Sequence, residues 1–360
     1  MFVTVYYTHK PGGLCKRLYL LCDALVESGQ ELTFFSLDPE SHHLAERVTK
    51  HRIPFPLRAR GGLIFWIFFT LWTPWYLAYA LWGKHTRAFV FNPYYWLILV
   101  PSRALGGISH ITTFFRSIGS RTYLARRAWL RMHISSALEQ LAYRFSDAVV
   151  TQTKAMSDTL RGGGTTKHSH LHLLPNNASE RIAEAKSRPN GPPYHCIIVG
   201  MFDEGKNLPI VINAFRFLAP ELFQLKIVGD GPAVPSAKAL VKNYELPHVT
   251  FAGWVSDTTA YFQSAHILIH PSFNEGMPNA VLEAFSHGLA VFTSSTPELV
   301  ELVGDERLTF NPHQADNLLE LLRLFAKSED FRTKCSQISR NRRNLFNFNW
   351  AERARNTLLT

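Results

Sequence analysis

The stretch ILIHPSFNEGMPNAVLEAF, residues 267–285, decides how the second half of this chain is interpreted. Its apolar start predicts a strand over Ile267–His270, and the periodicity that follows predicts a helix over Pro278–His287. In the loop between them, Gly276 would allow the backbone to approach a ligand closely. Pro278 suits the first position of a helix, whose free N–H groups and positive dipole end would face the loop. This pattern predicts a diphosphate site at the helix start.

Two glutamates flank that predicted phosphate site. Glu283 lies five residues into the helix, about 7.5 Å along the axis at roughly 1.5 Å per residue. A nucleotide with its phosphates at the helix start would place its ribose near that depth, where a carboxylate accepts hydroxyl hydrogen bonds. Glu275 precedes the helix and would hold a group beyond the phosphates, such as a sugar. The alternative is a capping loop with two surface glutamates.

Strands and helices alternate on both sides of this stretch. The first unit is a strand over Val3–Thr8, a loop Pro11-Gly12-Gly13, a helix over Leu14–Ser28 and a strand over Glu31–Leu37. This βαβ beginning predicts a parallel sheet. Further strands and helices are predicted over Ala88–Asn92, His110–Phe115, Arg121–Ser146, Asp147–Thr151, Lys154–Gly162 and Leu171–Leu174, with a loop from Gly162 to Thr166.

A polar stretch with proline and glycine, Ser179–Pro193, is the best linker candidate. A second series of elements follows it. These are predicted over Cys196–Val199, Leu208–Leu218, Gln224–Val228, Ala233–Tyr244, Val249–Phe251, Thr258–Ala265 and Ala290–Thr293, together with the strand and helix described first. The simplest account is an α/β chain of two successive β/α domains.

Charge is distributed unevenly along the chain. Residues 1–200 hold 23 Lys and Arg against 11 Asp and Glu, whereas residues 201–360 hold 15 against 17. No acidic residue occurs between Glu46 and Glu139, a stretch that carries 13 basic residues. The first half therefore favours an anionic partner, such as a membrane surface, a phosphorylated substrate or nucleic acid.

Residues 61–83 carry no charge and contain Trp66, Trp72, Trp75, Tyr76, Tyr79 and Trp82. The run has the length of a membrane span, about 20 residues. However, Pro74 interrupts it, and its aromatic residues are spread throughout instead of forming belts at the two ends. We favour a helix or broken helix in the membrane interface. A buried core helix, a true span and a re-entrant hairpin remain alternatives.

The 4 cysteines are scattered, which disfavours a disulfide scaffold or a structural zinc site and favours a cytoplasmic setting. The first residues are interpreted as a strand instead of a signal peptide. His270 at a strand end is interpreted as a structural histidine, and His287 as a helix-end residue. The absence of G-x-G-x-x-G after the first strand disfavours a dinucleotide-dependent oxidoreductase.

Several motifs together resemble the GT-B glycosyltransferases of family four, glycosyl transferases group 1. The segment from Glu275 to Glu283 resembles the family's Glu-x7-Glu motif. Residues 199–207, ending in Lys206 and Asn207, resemble its Gly-Arg-x-x-x-x-Lys loop. Four further segments match motifs of the family, and they follow the family's order along the chain. They are Pro11-Gly12-Gly13, residues 173–177 (LLPNN), residues 225–232 (LKIVGDGP) and residues 249–253 (VTFAG). The resemblance implies two Rossmann-like domains facing a cleft, over residues 1–190 and 191–340.

The resemblance also implies roles for residues. Lys206 would pair with the donor diphosphate, where a lysine stabilises charge on the leaving nucleotide; the alternative is a surface lysine. Glu275 would hold the donor sugar and Glu283 the ribose. The loop residues Gly276, Met277 and Pro278 would lie at the donor phosphates.

The same resemblance places Gly12 and Gly13 at the phosphates or the acceptor, with a plain strand-to-helix turn as the alternative. Similar enzymes retain the anomeric configuration and need no metal or other cofactor. A closing segment, 341–360, would cross back to the first domain with Trp350 as its anchor.

Two positions depart from the family pattern. Met201 stands where the family usually has arginine, so one diphosphate contact is missing. The strand ending at Phe115 lacks the family's common histidine, and Arg116 follows instead. Arg116 would bring positive charge across the cleft to the donor phosphate, or would bind an anionic acceptor. The alternative is that it belongs to a basic surface.

These observations favour a membrane-associated, retaining hexosyl- or N-acetylhexosaminyl-type transferase. It would use a nucleotide-sugar donor, with UDP favoured, and a membrane-presented or lipid-linked acceptor in surface polysaccharide or lipopolysaccharide assembly. We expect it in the cytoplasm, peripheral on the inner face of the plasma membrane. The alternative is a non-catalytic GT-B-like partner that binds nucleotide sugar or membrane. A nucleic-acid binder is disfavoured because no recognised nucleic-acid module is present.

Overall fold

The computed structural model describes residues 1–9, 12–56, 62–125, 128–162, 170–178 and 191–359. Within these ranges the chain forms two parallel sheets, each with its own buried apolar core. Several central strands are buried along their whole length, as in Ala148–Thr151, Ile267–His270 and Ala290–Ser294. Their continuous apolar sequence is typical of parallel strands that helices cover on both faces.

The first sheet has the order β3-β2-β1-β4-β5-β6-β7 in the described part of the chain. Its strands are β1 (Phe2–Val5), β2 (Leu32–Ser36), β3 (Thr49–Arg52), β4 (Thr86–Val90), β5 (Ile108–Phe114), β6 (Ala148–Thr151) and β7 (Leu171–Leu173). Its helices are α1 (Gly13–Glu27), α2 (Gly62–Leu81), α3 (Pro93–Ala104), α4 (Gly119–Ala125), α5 (Trp129–Phe145) and α6 (Lys154–Arg161).

The second sheet has the order β10-β9-β8-β11-β12-β13. Its strands are β8 (Tyr194–Val199), β9 (Phe223–Val228), β10 (Val249–Gly253), β11 (Ile267–His270), β12 (Ala290–Ser294) and β13 (Thr309–Phe310). The helices are α7 (Leu208–Phe215), α8 (Val234–Asn243), α9 (Thr259–Ser264), α10 (Asn279–Ser286), α11 (Pro297–Val303), α12 (Ala315–Lys327), α13 (Glu329–Leu345) and α14 (Trp350–Leu359).

Both sheets change winding direction at a central pair of strands, β1 and β4 in the first and β8 and β11 in the second. Ligands of such sheets bind beyond the carboxyl ends of the strands at this point. The glycine loop follows β1, the loop with Lys206 follows β8, and the loop with Glu275 follows β11. The two-domain α/β fold predicted from the sequence is confirmed, and the topology places three predicted site loops at the two reversal points.

Most predicted elements are present, but two predicted helices differ and several elements were not predicted. The predicted helix over Arg121–Ser146 is two helices, α4 and α5, because α4 folds back along α5: Glu139 of α5 accepts hydrogen bonds from the N–H and hydroxyl of Ser120 at 3.1 and 2.6 Å. Six elements were not predicted: the helices α3, α11, α12 and α13 and the strands β3 and β13. Pro278 lies one residue before α10 instead of inside it, because its ψ of 130° is extended.

The uncharged run, residues 61–83, contains helix α2. Residue 61 itself lies outside the described residues. Helix α2 is one continuous helix from Gly62 to Leu81. Phe65, Phe69 and Leu77 are buried in the first core, whereas Leu71 and Trp75 are each 65% exposed. By length and composition Ile64–Leu81 would suffice to cross a membrane, but 39% of it is buried. One face of α2 is therefore part of the core, as expected for a buried core helix. The opposite face is apolar and exposed.

Two helices from the second half of the chain, α14 and α11, contact the first domain. Helix α14 packs against α1, and the Trp350 ring is buried in the first core beneath the Arg17 guanidinium, 5.0 Å away. Helix α11 also reaches the first domain: Arg121 Nη1 donates to both carboxylate oxygens of buried Glu298, at 2.6 and 2.8 Å. The linker stretch 179–190 and the loop residues 163–169 lie outside the described residues.

Candidate active site

Lys206 and Glu275 meet where the loops after β8 and β11 converge. A short 3-10 turn, Glu204–Lys206, carries the lysine, and the Phe273 N–H donates to the Gly205 carbonyl at 2.9 Å, which ties the two loops together. The Lys206 ammonium donates to Glu275 Oε1. The structure thus brings together two side chains from loops 69 positions apart in sequence.

His270, the last residue of β11, joins this pair. Its Nε2 lies 3.7 Å from Glu275 Oε1 and 3.2 Å from the Ser272 hydroxyl, and its ring is buried. Burial raises the pKa of Glu275, but the charge of Lys206 and the nearby His270 ring outweigh it, so the pKa lies well below its ordinary value. Burial also lowers the pKa of His270. The sequence interpretation of His270 as structural missed this contact; its place at a strand end beside the reversal point was the available signal.

Glu283 lies at the next cavity along α10, half-buried. The Thr258 hydroxyl donates to Glu283 Oε1 at 3.2 Å. Burial raises the pKa of Glu283, and this hydrogen bond opposes the shift. The cavity has a volume of about 590 Å³, and its lining also includes Lys16, Arg17, Asn177, Ser256, Asp257, Asn279 and His287. The space beside Glu283 is polar and large enough for a ribose and part of a base.

His287 follows α10 and occupies its C-cap position, as the sequence predicted for a helix-end residue. Its ring stacks on Phe262, with centroids 5.7 Å apart. It also lines the cavity beside Glu283.

The glycine loop of the first domain reaches the start of α10. Gly12 has a φ of 149°, which other residues rarely adopt, and it is the N-cap of α1; Pro11 lies outside the described residues. A side chain at Gly13 would collide with the Asn279 amide, the first residue of α10. The starts of α1 and α10 therefore lie side by side at the predicted phosphate site, with the Asn279 side chain between them.

Gly276 has a different role from the one the sequence suggested. A Cβ at this position would collide with the Arg116 carbonyl oxygen and with the Gln152 side chain. The first domain therefore fills the space on the side of Gly276 where a side chain would lie. Glycine here is required because the backbones of the two domains approach each other at this point.

Arg116 is placed at the same contact, half-buried. Its Nη2 donates to Asn176 Oδ1 at 2.8 Å, and the Asn176 amide donates to the Met277 carbonyl at 2.8 Å. Burial, together with the charge of Arg17, lowers the pKa of Arg116 to about 9, so it stays protonated at neutral pH. Among the described residues no carboxylate lies within ion-pair distance of it. Arg116 therefore brings an unneutralised positive charge beside the loop that enters α10.

Met201 lies on the other side of the lysine loop, with a side chain 62% exposed. Its side chain carries no charge, whereas the resemblance implies an arginine at this position. In the described part of the chain, no three His, Cys, Asp or Glu side chains lie close enough to hold a metal ion. The positive charges at the cleft come instead from Lys206, Arg116, Lys16 and Arg17.

Known protein families match almost the whole chain. The family described as "Glycosyltransferase Family 4" matches residues 11–177, and "Glycosyl transferases group 1" matches residues 179–342. The serotype-specific mannosyltransferase WbdA of Escherichia coli is 26% identical over 163 residues, which is 43% of this chain and 20% of WbdA.

A second relative comes from Campylobacter jejuni. It is named GalNAc-alpha-(1->4)-GalNAc-alpha-(1->3)-diNAcBac-PP-undecaprenol alpha-1,4-N-acetyl-D-galactosaminyltransferase and is 26% identical over 195 residues, 52% of this chain and 53% of the relative. The chain thus spans about a fifth of WbdA and about half of the Campylobacter protein.

Solved structures share the fold over nearly the full length. WaaG, a glycosyltransferase involved in lipopolysaccharide biosynthesis, superposes with a TM-score of 0.76 at 16% identity and covers 99% of both chains. Anabaena HepE in complex with UDP-glucose gives a TM-score of 0.72 at 15% identity, covering 99% of this chain and 98% of HepE. These likenesses establish the two-domain GT-B fold.

Proposed function

The chain belongs to the group 1 glycosyl transferases of family 4, and from that premise we propose that it transfers a hexosyl or N-acetylhexosaminyl residue from a nucleotide-sugar donor with retention of configuration. The observation that carries the proposal is the convergence of Lys206, Glu275 and His270 at the reversal point of the second sheet, next to the Glu283 cavity. A UDP-sugar is the favoured donor, supported by the UDP-glucose bound to HepE.

The donor diphosphate would lie between Lys206, the start of α10 and the glycine loop. As the bond between the sugar and the diphosphate breaks, negative charge builds on the leaving phosphate oxygen, and a fixed cation and free helix N–H groups stabilise it. Arg116 supplies positive charge from the opposite domain, which compensates for the arginine missing at Met201. These side chains would perform the reaction without a metal or other cofactor.

The donor sugar would lie beside Glu275 and Asn274. Glu275 is held ionised by Lys206 and His270, so its carboxylate accepts hydrogen bonds from sugar hydroxyls. The Asn274 amide nitrogen donates to the Ile118 carbonyl at 2.8 Å, and its Oδ1 is buried without a partner among the described residues. A buried acceptor left unpaired is costly, so a sugar hydroxyl at this oxygen would be stabilised.

Donor titration tests this proposal. Calorimetry with UDP-, GDP-, ADP- and CMP-sugars should show selective binding to one nucleotide, weakened at least tenfold in both Lys206→Ala and Glu283→Ala. Lys242→Ala, an exposed lysine of the same domain, is the matched control and should bind as the wild type does. No binding of any donor by the folded protein would instead favour the non-catalytic partner, for which exposed Met201 is the motivating observation.

We also propose that the acceptor is presented at a membrane, in lipopolysaccharide or surface polysaccharide assembly on the cytoplasmic face. Helix α2 exposes large apolar side chains, among them Trp75 and Tyr79, and α5 exposes Trp129 and Leu130. An exposed apolar area of this kind marks an interaction site. The first 200 residues carry a net charge of +12, which complements an anionic bilayer. The buried face of α2 ties it to the core, so it would lie in the interface without leaving the domain.

Vesicle binding tests the membrane proposal. The wild type should sediment with phosphatidylglycerol vesicles and much less with phosphatidylcholine vesicles. Trp75→Glu should reduce binding at least tenfold, while Trp254→Glu, at a residue 68% exposed on the second domain, should not. Equal loss in the two variants would contradict a docking surface on α2.

A further inference from the structure

A cavity of about 570 Å³ lies at the edge of the second sheet opposite the candidate active site. Its lining includes Tyr194 at the start of β8, His266 just before β11 and Ala290 at the start of β12. Lys206 and Glu275 lie beyond the other ends of β8 and β11, and the 6 residues of β8 span about 20 Å. A ligand in this cavity would therefore not touch the candidate active site.

Helix α13 forms the charged wall of this space, which we name the α13 cavity. Arg332, Ser336 and Arg340 follow one another at intervals of four residues, so they lie on one face of the helix. Glu329 and Thr333 of α13 also line the cavity. In the described part of the chain, no carboxylate lies within ion-pair distance of either arginine. The wall therefore offers two guanidinium groups whose charges are not paired.

Arg332 is held in place by the end of α12. Its Nη1 donates to the carbonyl oxygens of Phe325 and Ala326, at 2.8 and 3.1 Å, and its guanidinium carbon lies 5.6 Å from the centroid of the Tyr194 ring. Its Nη2 has no hydrogen-bond partner among the described residues. The guanidinium is therefore oriented before any ligand arrives, and one of its nitrogens is left to bind it.

Arg340 lies about two turns further along α13 and is exposed. Its Nη2 reaches Gln337 Oε1 at 3.5 Å, a weak contact that leaves the guanidinium available to a ligand. Guanidinium groups bind phosphate oxygens through paired hydrogen bonds. Because long side chains from one helix face can converge on a single group, Arg332 and Arg340 together suit a phosphate.

The rest of the lining is largely apolar. Tyr194, Phe325 and Ala290 are buried there, and a Cβ at Gly288 would meet no atom within 4 Å, so the cavity is open above this glycine. Apolar surface suits the C–H groups of a sugar ring. The Glu329 carboxylate and the serine and threonine hydroxyl groups of α13 suit its O–H groups. The cavity therefore matches a hydroxylated carbon ring that carries a phosphate.

We infer that the α13 cavity binds a monosaccharide phosphate, at a site separate from the one proposed for the nucleotide-sugar donor. Arg332 and Arg340 bind the phosphate, and Glu329 and Ser336 accept or donate hydrogen bonds at the sugar hydroxyl groups. The inference goes beyond the transferase function and does not depend on it, since no residue of the candidate active site takes part.

Calorimetry on the full chain tests the inference with four probes: glucose 1-phosphate, glucose 6-phosphate, glucose and inorganic phosphate. The last two separate the ring from the phosphate, and the first two differ in where the phosphate is attached. We expect at least one sugar phosphate to bind at least tenfold more tightly than glucose or inorganic phosphate. Arg340→Gln should weaken that binding at least tenfold. The matched control Arg343→Gln, on the same helix but outside the cavity lining, should preserve it.

The inference is overturned if neither sugar phosphate binds more tightly than inorganic phosphate, because the cavity would then recognise no ring. Equal binding by Arg340→Gln and the wild type would also overturn it, since the sugar phosphate would then lie elsewhere, for example in the cleft. Titration of the same variants with nucleotide sugars keeps the two proposals separate. Arg340→Gln should bind the donor as the wild type does, and a loss of donor binding would show that the change is not local to the cavity and count against the inference. If sugar phosphate binding depends on Arg340 in a protein that binds no nucleotide sugar, this site stands and the transferase function fails.

Discussion

Replacing Arg121 by glutamine should destabilise the closed arrangement of the two domains. The Arg121 guanidinium forms hydrogen bonds to both oxygens of Glu298 at 2.6 and 2.8 Å, and to the Thr159 hydroxyl at 2.6 Å. The Glu298 side chain is fully buried, whereas that of Arg121 is 31% exposed. The variant therefore leaves a buried carboxylate of the second domain without its cation from the first.

Breaking a buried ion pair by removing one partner costs about 3–5 kcal/mol. Because Arg121 retains some solvent exposure, we expect a loss near the lower end, about 3 kcal/mol at pH 7. Burial raises the pKa of Glu298, and Arg121 opposes this. Without Arg121 the pKa in the folded protein rises further above its unfolded value, so the folded form retains a proton that the unfolded form releases. The loss should thus be small below about pH 4 and grow as the pH rises.

Scanning calorimetry between pH 4 and pH 8 measures this loss, and small-angle scattering reports whether the domains separate. The control is Arg307→Gln, which removes an exposed pair within the second domain, Arg307 with Asp305 at 2.6 Å. That change should cost little stability, because solvent screens an exposed ion pair. The reasoning is refuted if Arg121→Gln loses no more stability than the control at pH 7, or if its loss does not depend on pH.

Three further substitutions probe the contacts around the cleft. Gly13→Ala should lower donor affinity at least tenfold in calorimetry, because its methyl group collides with Asn279; unchanged affinity would contradict the packing of the two helix starts. Trp350→Ala should cost about 3–5 kcal/mol in thermal unfolding, since the ring is 1% exposed; a loss under about 1 kcal/mol would argue against its anchoring role. Met201→Arg should raise donor affinity several-fold at low salt, and no gain would show that Arg116 already supplies the missing charge.

The sequence predicts the fold well because its central strands are continuous apolar runs separated by glycine and proline. Ile267–His270 begins and ends where the pattern places it. The pattern of apolar residues does not predict burial where one segment contacts both the core and the solvent. Helix α2 is apolar on every face, so periodicity does not reveal which residues enter the core and which remain exposed. The pattern also fails at α4 and α5, whose separation depends on the hydrogen bonds between Glu139 of α5 and Ser120 at the start of α4.

In the candidate site, too, the sequence predicts local features but not the contacts between distant segments. Spacing and resemblance lead to Lys206, Glu275 and Glu283, because these lie on loops and a helix with local signatures. The contact of Gly276 with Arg116 is not readable from local sequence, since the two residues lie on different domains. The same holds for Asn176, whose side chain bridges Arg116 to the loop before α10. Contacts between domains carry no periodicity, so only the folded chain reveals them.

The position of α14 on α1 has a consequence for how the protein is made. A ribosome releases every described strand of both sheets before it releases Trp350, because the last of those strands ends at Phe310. The strands of both sheets can therefore pair during translation, while the first core still lacks the indole that fills it. The domain that emerges first is therefore completed last.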